Sequence, residues 1–514
     1  MERLTDWTTL ARRWEQAVAA VPDASFLEFV PSEGEGSAWT YAEFDAVVDE
    51  TGRALGAYGV RPGDTVQLVL PNHPAFVATL LAAARGGWTV VPCDPRSTPA
   101  ELARQAARTG AVVAVCGAAQ AAAYRASGTV LPLVPVAPQD AGVPAAPGPA
   151  GPGHAPADPT FPLSLMFTSG TTSAPKMVEV TQANYAFAGD VMAAAAGLRP
   201  GSRFLVVLPL FHANAQYYSV SASISVGATV VLAERFSASR FLTQAERVRA
   251  THASLFAAPI RMILARAEPV ALTRPMENVW FSQNLTADEY GRFAALVGCR
   301  PRQIYGMTET APAVLMSRRL NLAPTTIGSA TPGCHVRLRD PDADAPPAPG
   351  GTGRIQVGGF PGLSLFRAYR DDPIATASTF TEVGPDGFTW MDTGDLGRLT
   401  DDGEVEFIGR GGDLLKVAGE NVSVVAIEAA LVEHPDVLDA AVVGMPDPVR
   451  DEVAVAFVVP TADAPSTLAH DLGLWCAEHL SGPRLPREIH VVEELPRTAV
   501  GKIQRFRLVE RSTG

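Results

Sequence analysis

The stretch Phe167-Thr-Ser-Gly-Thr-Thr-Ser-Ala-Pro-Lys176, entered from the apolar run Leu163-Ser-Leu-Met-Phe167, decides how this chain is read. A strand runs into a loop of small hydroxyl residues, one glycine and a closing lysine. In such a loop backbone N–H groups and hydroxyls can surround a polyphosphate while the lysine neutralises it. The Gly-Lys-Ser/Thr of a Walker A loop is absent, and a Ser/Thr-rich turn alone would be weak evidence. Lys176 is one of only three lysines, with Lys416 and Lys502, although Lys+Arg totals 41. A background that favours arginine keeps lysine where a compact ammonium is needed; chance survival is the bland alternative. All three lie in Gly-rich segments: Lys416 ends Gly409-Arg-Gly-Gly-Asp-Leu-Leu-Lys416, and Lys502 follows Gly501.

Outward from this loop, helical and strand patterns alternate. Residues 41–58 have helical spacing, 65–71 read as a strand, 74–85 as an apolar helix and 88–92 as a second strand. That rhythm predicts a parallel sheet with helices on both faces. Residues 134–160, rich in Pro, Ala and Gly, predict an irregular surface connection. The α/β rhythm resumes from 163 to about 300. From about 325 to 408, short alternating runs such as Gly353-Arg-Ile-Gln-Val357 and Glu404-Val-Glu-Phe-Ile408 predict a small β-rich subdomain. Beyond Gly409 a short α+β unit is expected, with helices at 424–433 and 468–480 and strands at 440–443 and 453–459. The domain boundary is placed at the Gly-rich turn 409–412, which divides the chain into 1–408 and 409–514.

A chain of 514 residues is too long for one core, and 47% hydrophobic with 18% charged residues is an ordinary soluble composition. The net charge of −13 gives no support for a nucleic-acid surface. Five scattered cysteines with no CxxC pair indicate neither a zinc site nor a disulfide framework. The opening Met-Glu-Arg-Leu-Thr-Asp-Trp has no hydrophobic signal core, and no apolar run is long enough to span a membrane, so a cytoplasmic location is expected.

Four further motifs follow the loop in order: Tyr305-Gly-Met-Thr-Glu-Thr310, Trp390-Met-Asp-Thr-Gly-Asp395, Gly409-Arg410 with Gly419-Glu-Asn-Val-Ser423, and Pro496-Arg-Thr-Ala-Val-Gly-Lys502. Together the five resemble the adenylate-forming enzymes, namely acyl- and aryl-CoA ligases, luciferases and peptide-synthetase adenylation domains, over about residues 38–508. The resemblance implies an α/β fold. A large N-terminal domain of stacked α/β sheets would carry a small β-barrel-like subdomain, followed by a small mobile α+β C-terminal domain. It also implies two steps: ATP and a carboxylate give an acyl-adenylate and pyrophosphate, and a thiol then attacks the adenylate. ATP, Mg²⁺ and coenzyme A would be required, with a small carboxylic acid as substrate; the resemblance leaves a homodimer open.

The same resemblance assigns roles. Thr168, Ser169, Gly170, Thr171, Thr172 and Lys176 would hold phosphate, and Tyr305, Gly306, Thr308, Asn284, Asp395 and Arg410 would hold the rest of the nucleotide. Tyr305 could stack on adenine, Thr308 would donate to the α-phosphate, and Asp395 and Arg410 would fix the ribose hydroxyls. Glu309 would hold Mg²⁺, a hard cation that prefers oxygen; read alone it could be an exposed helix-cap glutamate. Lys502 would offset the repulsion between carboxylate and α-phosphate. His212 falls where many CoA ligases of this family carry a histidine beside the acyl carboxylate. His212, Asn214, Gln216, Tyr217, Tyr218, Ala258, Met307 and Ala311 would line the acyl pocket, and Lys416, Gly419 and Glu420 would meet CoA. Gly412, with Asp413 as the alternative, would be the hinge between the two steps.

Several positions depart from the family pattern. Ser173 and Met177 stand where glycines are usual, so a stiffer loop is expected; Arg354 replaces a common acid. Phe281-Ser-Gln-Asn-Leu285 replaces a small-residue consensus near adenine, a change that most resembles carnitine- and betaine-type CoA ligases. Phe211-His-Ala-Asn-Ala-Gln-Tyr-Tyr218 lacks the aspartate that amino-acid-loading relatives usually carry. An ATP-dependent acyl-CoA ligase is the reading chosen. The alternatives are an adenylation protein that loads a separate carrier thiol and a catalytically silent nucleotide-binding module; a luciferase-type oxygenase has no support here.

Overall fold

The computed structural model describes residues 7–126, 128, 130–145, 158–168, 176–268, 270–318, 326–340, 343, 345–348, 350–410, 414–417, 420–447, 451–480, 482–497 and 503–512. Among them, a seven-stranded sheet runs in the order Ala368–Tyr369, Lys176–Thr181, Pro162–Thr168, Thr89–Pro92, Thr65–Val69, Ala111–Gly117, Leu133–Val136. Its middle is parallel, as expected, and Thr65–Val69 is buried at every position because both faces are covered. Lys176–Thr181 turns back antiparallel on Pro162–Thr168, so that Lys176 pairs with Thr168 and Met177 with Phe167. The irregular connection expected from residue 134 is corrected at its start: Leu133–Val136 forms the edge strand beside Ala111–Gly117. An edge tolerates Pro135, which cannot donate to a ladder.

The larger sheet has fourteen strands among the described residues. Ser25–Val30, Thr229–Ala233, Arg203–Val206, His252–Phe256, Asn278–Ser282 and Arg302–Tyr305 lie parallel. The sheet then becomes antiparallel at Leu315–Met316 and continues into the β-rich segment through Thr326–Ala330, Val405–Arg410, Thr389–Leu399, Thr352–Gly359 and His335–Arg339. The helix Gln182–Ala196 is buried on nearly every side, as a helix between two layers must be. Its Tyr185 hydroxyl reaches Ser164 of the smaller sheet and Gln216, which follows strand Arg203–Val206 of the larger one.

Among the described residues, the C-terminal unit is a five-stranded sheet with Val424–Val432 and Leu468–His479 packed in its core. Among the described residues, the buried apolar clusters do not mix residues up to Phe407 with residues from Leu415 onward. No described helix is long and apolar enough to cross a membrane.

Candidate active site

The candidate residues gather where the parallel strands of the larger sheet end. His212 and Asn214 follow Arg203–Val206, Ala258 follows His252–Phe256, Asn284 follows Asn278–Ser282, and the 306–309 turn follows Arg302–Tyr305. The crevice outside the carboxyl ends of parallel strands is the general ligand position in such sheets.

Antiparallel pairing of Thr389–Leu399 with Val405–Arg410 sets Asp395 opposite Arg410. The Arg410 Nε donates to Asp395 Oδ1 at 2.9 Å, and the Tyr305 hydroxyl donates to Asp395 Oδ2 at 2.7 Å. Asp395 is held in turn by its own N–H donating to Thr393 Oγ1 at 3.2 Å, while Thr393 donates to the Ile355 carbonyl at 2.8 Å. Burial and then the Asp395 charge push the Tyr305 phenol far above its ordinary value, so it stays a donor. Burial alone would lower the Arg410 pKa; the Asp395 charge and its hydrogen bond outweigh that, and the value rises. The unexplained Arg354 also finds a partner here. It reaches Asp392 at 3.2 Å, and Asp392 accepts the Gly394 N–H at 2.8 Å within the same turn. Arg354 is half exposed, so the contact orders the turn more than it stabilises the fold.

Thr308–Thr310 form a single 3₁₀ turn pinned by the Thr310 hydroxyl, which accepts the Met307 N–H at 3.0 Å. Glu309 is only 4% exposed, which excludes a solvated cap residue. Its Oε1 accepts the Tyr369 hydroxyl at 3.0 Å, and the Lys176 Nζ stands 4.4 Å over the Tyr369 ring. Lys176 and Glu309 are thus joined through Tyr369. The buried Ala311 ends the turn at φ 61°, ψ −83° before Pro312, a conformation that costs a non-glycine residue about 1–3 kcal/mol. Gly306 is required by space: a Cβ would stand 2.8 Å from the Tyr218 hydroxyl, 2.9 Å from Ala313 Cα and 2.9 Å from the Pro312 carbonyl oxygen.

Of the residues expected to line the acyl pocket, Asn214, Gln216, Tyr217 and Tyr218 lie on an eight-residue π-helix, Asn214–Ser221, a wide turn frequent at functional sites. The buried Asn72 fixes the approach to it. Its amide donates at 3.0 Å to the carbonyls of Leu208 and Ala233, and its oxygen accepts the Leu210 N–H at 2.7 Å, just before Phe211 and His212. The His212 ring lies 4.4 Å from that of Phe211. Asn214 and Tyr218 are buried, and Ala258 and Met307 half-buried. Gln216 and Tyr217, expected among the residues that line the acyl pocket, are fully buried. Gln216 donates to the Leu210 carbonyl at 2.7 Å and accepts from Tyr185, while the Tyr217 hydroxyl reaches Met166 Sδ at 2.9 Å. The π-turn sets both against Tyr185, whose ring meets that of Tyr217 edge-on.

In the turn after Asn278–Ser282, Gln283 takes φ 76°, the Ser282 hydroxyl donates to the Ile304 carbonyl at 3.3 Å, and Gln303 donates to Asn284 Oδ1 at 3.0 Å. The departure from the small-residue pattern is therefore a bonded turn. Met177, the other departure, is fully buried in the sheet. Ser169, Gly170, Thr171, Thr172, Ser173, Gly412, Asp413, Gly419 and Lys502 lie outside the described residues, as do the side chains of Lys416 and Glu420. Thr168 and Lys176 pair as the two ends of that loop. Tyr369 and Asn72 were missed by the sequence reading, since nothing in Arg-Ala-Tyr-Arg or Pro-Asn-His-Pro signals contacts 60 and 138 residues away.

No described group of three or more His, Cys, Asp or Glu side chains could cage a metal ion. Glu309 still fits Mg²⁺, which binds through one or two carboxylates completed by water and substrate phosphates. The buried carboxylate is joined through Tyr369 to Lys176.

Residues 14–370 match the AMP-binding enzyme family, and residues 426–502 match the AMP-binding enzyme C-terminal domain. A crotonobetaine/carnitine–CoA ligase of Salmonella arizonae is 31% identical over 523 aligned positions, covering 96% of this chain and 97% of that protein. An anthranilate CoA ligase solved with anthranoyl-AMP shares the fold at a TM-score of 0.86 and 23% identity, covering 98% of this chain and 97% of that one. An o-succinylbenzoate CoA synthetase from Bacillus subtilis, solved with its acyl-adenylate intermediate, gives a TM-score of 0.82 at 25% identity, covering 96% and 97%.

Proposed function

The chain belongs to the AMP-binding enzyme family and is an ATP-dependent acyl-CoA ligase, and from that premise we propose how its residues divide the two half-reactions. Its small molecules are a carboxylic acid, ATP, Mg²⁺ and coenzyme A. In the first step a carboxylate oxygen attacks the α-phosphorus of ATP and pyrophosphate leaves. Two anions must meet, so cations and donors carry the catalysis. The Thr168–Lys176 loop cradles the outer phosphates, the Thr308 hydroxyl donates to the α-phosphate, and Lys502 lies between carboxylate and phosphate. Glu309 would hold Mg²⁺, which neutralises phosphate charge when bound. Asp395 takes the ribose hydroxyls, since an ionised carboxylate only accepts, and Arg410 fixes its orientation at 2.9 Å. Tyr305 lies against adenine, near Asn284. His212 sits beside the substrate carboxylate. In the second step the CoA sulfur attacks the acyl carbon and AMP leaves, with Gly419, Lys416 and Glu420 along the thiol's approach.

The domain boundary falls at 409–412 with Gly412 or Asp413 as pivot; the separation of the apolar clusters at Phe407 and Leu415 supports it. The acid has a neutral, bulky or cyclic tail, because Asn214, Ala258, Met307 and Ala311 bring no charge and the alanines leave room. The protein acts in the cytoplasm, where both ATP and CoA are supplied.

The observation that carries this division of labour is the meeting of Tyr305 and Asp395, 90 residues apart, at 2.7 Å beside Arg410. Pyrophosphate release with a panel of carboxylic acids tests it. At least one neutral-tailed acid should release pyrophosphate without CoA, and free CoA should then be acylated faster than a holo-carrier protein. ATP binding with no release for any acid would favour the silent nucleotide-binding module instead.

A further inference from the structure

We propose that Tyr369 is a positioning residue that holds the phosphate-loop cation over its ring face and the glutamate at its hydroxyl, so that neither neutralises the other before ATP arrives. The proposal rests on the reading of Lys176 as a phosphate ligand and Glu309 as the Mg²⁺ ligand. Tyr369 belongs to the two-residue strand Ala368–Tyr369, whose antiparallel pairing sets Tyr369 opposite Val178 and Ala368 opposite Glu179. That register carries the ring alongside Lys176, whose Nζ stands 4.4 Å from the ring centre. The hydroxyl at the other end donates to Glu309 Oε1 at 3.0 Å. The backbone fixes the same spacing, since the Phe366 N–H donates to the Glu309 carbonyl at 2.9 Å and the Arg370 N–H to that of Met177 at 2.8 Å.

The chemistry of the arrangement is specific. A lysine and a glutamate in direct contact would spend their charges on each other. An aromatic face holds an ammonium by its quadrupole without an acceptor atom, so the N–H groups stay available to phosphate oxygens. A phenol occupies one of about four lone-pair sites of a carboxylate and leaves its charge intact for a cation. Tyr369 and Glu309 are 6% and 4% exposed, so water does not compete strongly for either contact.

The experiment separates ring from hydroxyl and reads binding before turnover. ATP affinity of the full chain is measured by calorimetry with and without Mg²⁺ for the unaltered protein, Tyr369→Phe and Tyr369→Leu, with urea midpoints checking that each folds. Tyr369→Phe keeps the ring. It should leave metal-free ATP affinity within about twofold but raise the Mg²⁺ concentration that gives half of the Mg²⁺ enhancement about 10- to 150-fold, as for a lost hydrogen bond to a charged group. Tyr369→Leu loses the ring as well and should weaken ATP binding about 2- to 30-fold even without Mg²⁺, the range of a cation–π contact. Equal effects of both variants on metal-free ATP binding, or no change in the Mg²⁺ requirement for Phe, would overturn the proposal while leaving the ligase reading intact. Failure of the unaltered protein to bind ATP would overturn both.

Discussion

Gly306 offers the most direct test of how the nucleotide turn is built. An alanine Cβ there would stand 2.8 Å from the Tyr218 hydroxyl, 2.9 Å from Ala313 Cα and 2.9 Å from the Pro312 carbonyl. Each neighbour must recede ~0.5 Å to reach ordinary contact, and two of the three are backbone in the turn that carries Ala311. Overpacking of this size costs about 1–3 kcal/mol. Because Thr308 and Glu309 lie in the same turn, half an ångström of displacement should slow adenylation about tenfold, given that about 1 Å can cost a hundredfold. Urea denaturation reads the first effect and acid-dependent pyrophosphate release the second; transfer from pre-formed acyl-adenylate to CoA should change less. In a Tyr218→Phe background the alanine should cost the same within about 0.5 kcal/mol, because the backbone obstacles remain. If Gly306→Ala leaves stability within about 0.5 kcal/mol and adenylation within about twofold, the close crossing is not what makes glycine necessary, and the reasoning fails.

Asp395→Asn should raise the KM for ATP about tenfold or more, since Arg410 loses its counter-charge and the ribose its anionic acceptor; an unchanged KM would remove Asp395 from the nucleotide site. His73 should make stability sensitive to acid. Its Nδ1 accepts the Ala75 N–H at 3.2 Å as a helix cap, and burial lowers its pKa from the ordinary value despite a hydrogen bond to Pro138 and the nearby Asp140 and Glu234. The unfolded chain therefore binds the proton more readily. Stability is complete above about pH 6.5 and falls as pH drops through that value. His73→Asn, which keeps a capping oxygen, should flatten part of the fall seen by urea titration between pH 7.5 and 5; His252, shifted the same way, keeps the rest. Gly412→Pro should spare one half-reaction and suppress the other, because proline fixes φ near −65° and cannot follow a domain rotation; equal modest losses in both would shift the pivot to Asp413.

The elements set by local periodicity were legible in the sequence. The helix Tyr41–Ala57 and the strand Thr65–Val69 fall within two residues of the expected spans, and Val424–Val432 ends one residue early. Leu133–Val136 escaped notice because four residues containing a proline carry too little pattern to stand out. The π-helix Asn214–Ser221 has no sequence signature of its own, so the hydrogen bonds that hold Gln216 and Tyr217 could not be foreseen. At the site, Tyr305, Asp395 and Arg410 were named only through ordered motifs, since one aspartate in a glycine turn has many ordinary uses. Glu309 could not be told from a solvated cap until its burial was known. Asn72 and Tyr369 act through long-range contacts that a single sequence does not encode locally.

The central claim is that the carboxylate oxygen itself attacks the α-phosphorus. An acid found active in the pyrophosphate screen, prepared with ¹⁸O in both carboxylate oxygens, is turned over with ATP and CoA and the products are weighed by mass spectrometry. The account requires one ¹⁸O in each AMP, none in pyrophosphate and one in the acyl-CoA carbonyl. Label in inorganic phosphate alongside ADP, or AMP without label, would contradict it.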